Sequence, residues 1–271
     1  MTPEQFFDLF LEELRQNENL HRYYKFLGDP GKLAFRKAYF IQRLQYVLDQ
    51  MPEGAQSNWD CGCGYGTTNL FLAMNGIPTL GTTLEFYFDQ IPPRLDYWQQ
   101  HGDVSLFEYR YENVLDSRFE PETFDTILVQ DTLHHLEPIG QCLRILFDAL
   151  KRGGRMIVVE ENGNNLIQNA KLYWQRGNRR VIERTDEKTG KTFLLGNENI
   201  RGLDTWRRLL GQAGFEVSPH SVKFIRVLPP FLEKDARHLI ERESRIHAPW
   251  LKKYFFFGLN YVAEKPSALQ P

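Results

Sequence analysis

The chain lacks any apolar run long enough to cross a membrane, and it has only three cysteines. A membrane-spanning helix needs about 20 consecutive apolar residues, and so few cysteines do not make the disulfide framework of a small secreted domain. The first residues carry acid rather than a basic run, so we expect no secretory signal peptide. These absences predict a soluble protein of the reducing cytoplasm, with no membrane partner.

An excess of positive charge is also lacking. Lys and Arg total 33 against 35 Asp and Glu, a net charge of −2 with the seven histidines counted neutral. Because nucleic-acid-binding proteins present a surplus of cations to the phosphates, the sequence gives no support to a nucleic-acid partner. The length of 271 residues and the hydrophobic fraction of 42% are ordinary for one sizeable globular domain.

The organisation changes at about residue 54. Before it, apolar residues recur at helical spacing and predict a helical cap over residues 1–53. After it, short apolar runs alternate with amphipathic segments, which indicates βαβ units and a mostly parallel sheet. The predicted strands are 77–84, 106–111, 126–130, 156–160, 217–227 and 255–263, and the predicted helices are 68–74, 88–101, 140–150 and 234–246. A polar first strand at 55–59 is expected to be short or one-sided.

A polar, turn-rich insertion, residues 163–202, interrupts this alternation. It places Trp174 among several arginines, including Arg179. Aromatic residues interleaved with arginine suit stacking on a planar or acidic ligand. We predict a mobile substrate lid, and fixed packing over the core is the alternative.

The most informative residues are Asp60-Cys-Gly62-Cys-Gly64-Tyr-Gly66, which precede a predicted helix. Glycines at this spacing let the chain turn sharply and let a ligand approach the backbone, and the helix presents free amides to the same place. A phosphate-binding loop would end in Gly-Lys-Ser/Thr, which is missing. A dinucleotide fingerprint would need glycine where Thr67 stands.

The pattern Asp-x-Gly-x-Gly-x-Gly resembles the first motif of the class I S-adenosylmethionine-dependent methyltransferases. Residues 124–130, followed by Asp131-Thr-Leu-His-His-Leu136, look like that family's fourth strand and turn, and residues 150–159 look like its helix, glycine turn and fifth strand. The resemblance covers about residues 54–162 and 203–265. It implies an α/β fold with a doubly wound, mostly parallel seven-stranded Rossmann-like sheet, and S-adenosyl-L-methionine as the cofactor.

On this resemblance the chain is a single methyltransferase domain, residues 1–271. The helical cap would be residues 1–53, the cofactor-binding half 54–162, the inserted lid 163–202, and the completion of the sheet 203–271.

The resemblance also implies which residues hold the cofactor. The glycine loop would bind the methionine portion. Thr83 stands where the family usually has an acid for the ribose hydroxyls, and Glu85 could reach them if the strand extends that far. Asn113 stands beside the expected adenine. The implied cofactor-binding residues are Asp60, Gly62, Cys63, Gly64, Gly66, Thr83, Glu85, Asn113, Val114 and Gln130.

The candidate catalytic residues are His134, His135 and Glu160, which follow the fourth strand or end the fifth. Histidine suits a general base near neutral pH. Because Leu-His-His-Leu is widespread in the family whatever the substrate, packing or helix capping is the alternative for each histidine, and His135 is expected to be the structural member. Glu160 and Glu161 are expected either to contact the substrate or to lie in a solvated loop.

Two further pairs of residues are expected to have structural rather than functional roles. Cys61 and Cys63 have no second pair of ligands for a zinc site, so no metal is predicted. Tyr23 and Tyr24 are expected to pack in the core, and a place on the pocket wall is the alternative.

The sequence therefore predicts a cytoplasmic methyltransferase that acts on a small, acidic or carbohydrate-like acceptor. An RNA or protein methyltransferase is an alternative, although Gln130-Asp-Thr-Leu replaces the Asn-Pro-Pro-Tyr-like tetrapeptide of such enzymes. The other alternative is a cofactor-binding scaffold without catalysis, which Thr83 and the polar first strand leave open.

Overall fold

The computed structural model describes residues 1–227 and 239–267, apart from the side chains of Glu85, Phe86 and Leu239. The helices are α1 Pro3–Gln16, α2 Glu18–Tyr24, α3 Pro30–Gln50, α4 Thr67–Ala73, α5 Glu85–Trp98, α6 Ile139–Ala149, α7 Leu166–Arg176, α8 Leu203–Ala213, α9 Leu239–Ser244 and α10 Pro249–Phe255. The strands are β1 Asn58–Cys61, β2 Thr79–Thr83, β3 Phe107–Tyr111, β4 Phe124–Gln130, β5 Leu150–Glu161, β6 Val181–Thr185, β7 Thr192–Gly196, β8 Glu216–Val217, β9 Lys223–Ile225 and β10 Gly258–Glu264.

The central sheet has the order β3-β2-β1-β4-β5-β10-β8, and β9 pairs with the other end of β10. Strands β1 to β5 are parallel, whereas β10 runs antiparallel to β5. The chain order reverses between β1 and β4. In such sheets the crevice at the carboxyl ends of the two strands flanking that reversal is where ligands bind. The doubly wound fold is confirmed, and its switch point lies at Asp60 and Gln130.

Helices cover both faces of the sheet. One apolar layer joins α1, α3, α4 and α5 to one face, and a second joins α6 and α8 to the other. Within residues 1–227 and 239–267, no helix is long and apolar enough to cross a membrane.

The first strand differs from its expected form. It begins only at Asn58, and all four of its residues are buried. Two of its side chains donate hydrogen bonds to residues at or next to β2. The Asn58 side chain donates to the Pro78 carbonyl at 2.9 Å, and Trp59 Nε1 donates to Thr82 Oγ1 at 2.9 Å. The strand is short, as expected, but it is buried on both sides.

The strand predicted at 217–227 is two short strands, β8 and β9. A 3₁₀ turn, Pro219–Ser221, separates them. Ser221 Oγ accepts the Val262 amide of β10 at 2.8 Å, so a side chain replaces the backbone partner that a continuous strand would supply. The helix predicted at 234–246 is described only from Leu239 onward, and its first residues lie outside the described part of the chain.

The helical cap is tied to the glycine loop by a buried ion pair. Arg94 of α5 donates two hydrogen bonds to Glu13 of α1, each 2.7 Å long. The same guanidinium donates to the Tyr65 carbonyl and to Thr67 Oγ1 at 2.7 Å. Since both charged side chains are buried, this geometry is needed to offset their desolvation. The cap therefore helps to fix the shape of the loop.

Candidate active site

A cavity of about 530 Å³ opens at the switch point of the sheet. Its volume lies in the range of small-molecule and cofactor sites. The floor is the glycine loop and the ends of β1, β2 and β4, one wall comes from α2 and α3, and the β6–β7 hairpin forms the opposite rim.

The three positions of the loop are glycine for different structural reasons. A Cβ at Gly62 would lie 2.4 Å from the Thr132 side chain, and one at Gly66 would lie 2.5 Å from the Phe107 ring. These two positions are glycine because protein atoms leave no room. A Cβ at Gly64 would meet no protein atom within 4 Å, although its φ of +54° is rarely adopted by other residues. Gly64 lines the cavity, so the space beside it is available to a ligand.

Asp60, the penultimate residue of β1, lies at the bottom of the cavity. The residue is 1% exposed, and its Oδ1 atom has no hydrogen-bond partner among the described residues. Burial raises the pKa of Asp60 to about 7, against the opposing effects of Arg43 and Gln130. An unsatisfied buried oxygen of this kind is costly unless a ligand supplies the missing donor. The carboxyl is suited to an ammonium group.

Gln130 ends β4 beside Asp60 and is held from two sides. Its Nε2 atom donates to Thr68 Oγ1 at 3.0 Å, and its Oε1 atom accepts from Arg43 Nε at 2.9 Å. Arg43, from α3, also forms an ion pair with Asp131. No sequence motif points to Arg43, because helix α3 reaches the cavity only through the tertiary packing of the cap.

The adenosine end of the expected site contains Thr83, Asn113 and Val114, all of which line the cavity. Asn113 Oδ1 accepts the Leu115 amide at 3.0 Å, so the oxygen expected to face the adenine already caps a 3₁₀ turn. The expected extension of β2 to Glu85 is wrong, because β2 ends at Thr83 and Glu85 begins α5. The Glu85 side chain lies outside the described residues.

Glu112 is an acid that the sequence interpretation missed. Its amide donates to the Thr83 carbonyl at 3.2 Å, and the residue lines the cavity next to that strand end. It gives this end of the cavity a carboxylate, the group that the second strand lacks.

We expect Thr83→Val to weaken S-adenosylmethionine binding roughly tenfold to a hundredfold, because the ribose of the bound cofactor loses the Thr83 hydroxyl as a hydrogen-bond partner. Isothermal titration calorimetry measures the change. Thr79→Val is the matched control, since Thr79 starts the same strand, is also buried and does not line the cavity. An affinity of Thr83→Val within threefold of the wild type would place the ribose contact elsewhere, on Glu112 or Glu85.

The two histidines occupy different environments. His134 is 3% exposed, and its Nδ1 lies 2.6 Å from Glu160 Oε2. Burial alone would lower its pKa, but Glu160 outweighs this effect and raises the pKa of His134 to about 9. Neither His134 nor Glu160 lines the cavity. Glu160 also accepts the Thr132 amide at 2.9 Å, so the pair braces the turn after β4.

His135 is the member of the pair that faces the cavity. Its Nδ1 lies 2.8 Å from the Gly196 carbonyl, and because a carbonyl only accepts, Nδ1 carries the proton. The Nε2 atom is then the lone-pair nitrogen of a neutral ring. Burial and the neighbouring His134 charge lower the pKa of His135. His134 is thus the histidine that lies away from the cavity, and His135 the one that lines it, whereas the sequence favoured His135 for the structural role. The roles of the two histidines stay predictions.

The His134–Glu160 pair makes stability depend on pH. The folded-state pKa of His134, about 9, exceeds the unfolded value near 6.5. The stabilisation is therefore complete below about pH 6.5 and is lost as pH rises through 9. Urea unfolding across this window should show a falling free energy of unfolding, and the fall should be smaller in Glu160→Gln. An equal fall in both proteins would contradict the assignment.

Two groups of residues bear on metal binding. His134, His135 and Glu198 bring ligand atoms within 4.8 Å of one another, but the proton that Glu160 holds on His134 opposes coordination. For Cys61 and Cys63, burial raises the pKa of both thiols, which disfavours the thiolate that a metal needs.

The insertion supplies part of the cavity, but through residues other than those expected. Arg184, Phe193 and Leu194 of the hairpin line the rim. Trp174 is 90% exposed and does not line the cavity. That Trp174 stacks on a ligand as part of a mobile lid stays a prediction. The hairpin contacts the site through its strands, whereas the aromatic helix α7 faces outward.

Tyrosines form the wall opposite the hairpin. Tyr23 and Tyr24 both line the cavity, although Tyr24 also packs against Phe10 in the cap. Tyr65 and Tyr87 complete a cluster in which neighbouring ring centroids lie 4.9 to 5.9 Å apart. Such rings attract cationic groups.

The structure thus brings most of the predicted residues to one cavity. Those that line it are Asp60, Gly62, Cys63, Gly64, Thr83, Asn113, Val114, Gln130 and His135. Gly66, His134 and Glu160 lie behind this layer, and Glu161 accepts a hydrogen bond from Gln168 instead.

Comparison with known proteins agrees with this geometry. Residues 59–158 match the family model described as a methyltransferase domain. No curated protein sequence is significantly similar to the chain.

Solved structures share the fold. A SAM-dependent methyltransferase from Methanosarcina mazei superposes with a TM-score of 0.56 at 19% identity, covering 82% of this chain and 97% of that one. Phosphoethanolamine N-methyltransferase 2 from Haemonchus contortus, in complex with S-adenosyl-L-methionine, gives 0.57 at 16% identity, over 83% of this chain and 52% of that one. The cyclase SpnF gives 0.57 at 17% identity, over 84% and 81% of the two chains.

Proposed function

We propose that this chain, a class I S-adenosylmethionine-dependent methyltransferase, methylates a small-molecule acceptor with His135 as the general base. The observation that carries the proposal is the orientation of His135, whose protonated Nδ1 is bound by the Gly196 carbonyl while the ring faces the cavity. The neutral ring presents Nε2 as a proton acceptor beside the cofactor loop.

The residues of the cavity fit the cofactor. The Oδ1 atom of Asp60 is buried without a partner, and it can accept the ammonium hydrogens of the methionine portion. The open space beside Gly64 admits the ligand to the backbone of the loop. S-adenosylmethionine supplies an already activated methyl group on a sulfonium, so the protein contributes mainly orientation and exclusion of water.

The remaining task of the protein is to accept a proton from the acceptor. The lowered pKa of His135 keeps Nε2 unprotonated near neutral pH. A general base placed in this way contributes roughly 10²–10⁴ to the rate. His134 and Glu160 act as positioning residues, since their ion pair fixes the turn that carries His135.

The walls of the cavity support a small acceptor with an acidic group. Arg43 and Arg184 line it from opposite sides, and Phe193 and Leu194 add an apolar rim. The Haemonchus contortus neighbour is named for phosphoethanolamine, a small phosphorylated amine, which is consistent with a polar acceptor of this size.

The test is methyl transfer from radiolabelled S-adenosylmethionine to pools of small acids, phenols, sugar acids and amines, with tRNA and histone protein as comparisons. Label in a small-molecule product, lost in His135→Ala, supports the proposal. Label in the RNA or protein alone overturns it. Cofactor binding by calorimetry with no labelled product in any pool would favour the scaffold alternative.

A further inference from the structure

The exposed apolar side chains of this protein are concentrated on two helices. Nine large apolar residues are exposed in the described chain, and six of them lie on α7 or α10. Trp174 is 90% exposed and Trp250 is 58% exposed. The six are Leu166, Ile167, Tyr173 and Trp174 of α7, with Trp250 and Tyr254 of α10. We call this the α7–α10 surface.

Helix α7 has its polar side turned towards the protein. Gln168 donates to Glu161 at 2.7 Å, and Asn169 donates to the Gly163 carbonyl at 2.7 Å. Leu172 is its only buried residue. At 100° per residue, the exposed apolar residues 166, 167, 173 and 174 share the other side. Among residues 1–227 and 239–267, the core therefore does not cover the apolar side of this helix.

Helix α10 continues the same surface. It packs against α7, and Asn162, just before α7, donates to the carbonyls of Lys253 and Phe256 at 2.9 and 2.8 Å. These bonds hold the two helices in a fixed relation. Trp174 and Trp250 thus lie on two neighbouring helices, and both side chains are exposed.

The sequence segments that carry this surface have an excess of positive charge. Residues 162–182 contain four Lys or Arg and no acid, and residues 245–263 contain three Lys or Arg and no acid. Two of these cations are paired with acids outside the segments, Lys253 with Asp204 at 2.8 Å and Arg245 with Glu241. These two segments have an excess of Lys and Arg although the net charge of the chain is −2.

We propose that the α7–α10 surface binds peripherally to membranes that contain anionic phospholipids. Trp and Tyr favour the level of the lipid headgroups, and helices with exposed apolar residues flanked by cations lie in the plane of the interface. A second copy of the chain is a poor occupant, because a two-fold contact would bring the same cations against each other. The sequence-based expectation of no membrane partner rested on the lack of a spanning run, which an interfacial helix does not need. The proposal does not depend on the proposed function.

Co-sedimentation with sucrose-loaded vesicles tests it. The full chain should bind vesicles of equal parts phosphatidylserine and phosphatidylcholine, and binding should weaken in high salt because charge contributes. The double variant Trp174→Ala/Trp250→Ala should bind at least tenfold more weakly, since two interfacial anchors are lost. Lys171→Ala/Lys252→Ala should also weaken binding about tenfold or more, because each cation near an anionic surface contributes about fivefold.

Tyr23→Ala and Arg22→Ala are matched controls, because they remove an exposed aromatic ring and an exposed cation elsewhere. Thermal melting confirms that the variants are folded, as expected for exposed positions. Binding no stronger than to phosphatidylcholine alone, or unchanged binding by the tryptophan variant, overturns the proposal. A dimer seen by analytical ultracentrifugation and abolished by the tryptophan variant would assign the surface to a second copy and also overturn it.

Discussion

Gly64→Val should abolish measurable S-adenosylmethionine binding while the chain remains folded. The Cβ of residue 64 would project into space that no protein atom within 4 Å fills, beside the carboxyl of Asp60. A valine side chain would therefore occupy the volume that the cofactor needs next to the loop backbone. Isothermal titration calorimetry on the purified variant measures the loss, and circular dichroism confirms the fold.

Backbone strain has to be separated from steric exclusion, because Gly64 has a φ of +54°. Gly76→Val is the matched control, since Gly76 has a φ of +74°, an equally open Cβ position and no place on the cavity. Both variants should lose a similar amount of stability, but only Gly64→Val should lose cofactor affinity. If the two variants bind the cofactor alike, the loop does not hold it.

The parts of the fold that the sequence predicted well are those whose residues form a continuous pattern along the chain. The glycine loop and the apolar run of β4 are continuous in sequence, and their spacing alone places Asp60 and Gln130 at the switch point of the sheet. The first strand was predicted at 55–59, whereas β1 is Asn58–Cys61. Its position is set by hydrogen bonds to β2, such as the one that Trp59 donates to Thr82. Hydrophobic periodicity does not report such tertiary hydrogen bonds.

The environment of the site residues also depends on contacts between distant parts of the chain. His134 and His135 are adjacent in sequence, so only the environment distinguishes them. That environment is made by Glu160 on β5 and by the Gly196 carbonyl at the end of β7, both distant along the chain. Arg43 reaches the cavity from the helical cap in the same way.

The insertion shows the limit of compositional reasoning. Aromatic residues among arginines predicted a segment that contacts a ligand, but composition does not distinguish the inner face of a helix from its outer face. In the structure the hairpin residues Phe193 and Leu194 face the cavity, and Trp174 faces solvent.

Because Trp174 is exposed, Trp174→Ala should leave thermal stability nearly unchanged, unlike the loss expected for a buried tryptophan.

His135→Ala should lower kcat about 10²–10⁴-fold, because the acceptor loses the base that takes its proton. The affinity for S-adenosylmethionine should stay within threefold, since His135 holds no part of the loop that includes Asp60 and Gly64. Initial rates at saturating cofactor, with the acceptor identified from the labelled pools, measure the first quantity, and calorimetry measures the second. His220→Ala, at an exposed position of the 3₁₀ turn between β8 and β9, is the control and should match the wild type.

The pH profile separates a base from a packing residue. Burial and the charge on His134 lower the pKa of His135, so the wild-type rate should rise with pH through a midpoint below the ordinary value near 6.5 and then level off. In His135→Ala the rate should no longer rise with pH in this range, because the residual rate does not depend on that imidazole. Glu160→Gln should instead move the midpoint upward, since a less charged His134 repels the proton on His135 less. If His135→Ala keeps the wild-type rise of rate with pH at a reduced kcat, His135 only supports the cavity wall and another group accepts the proton.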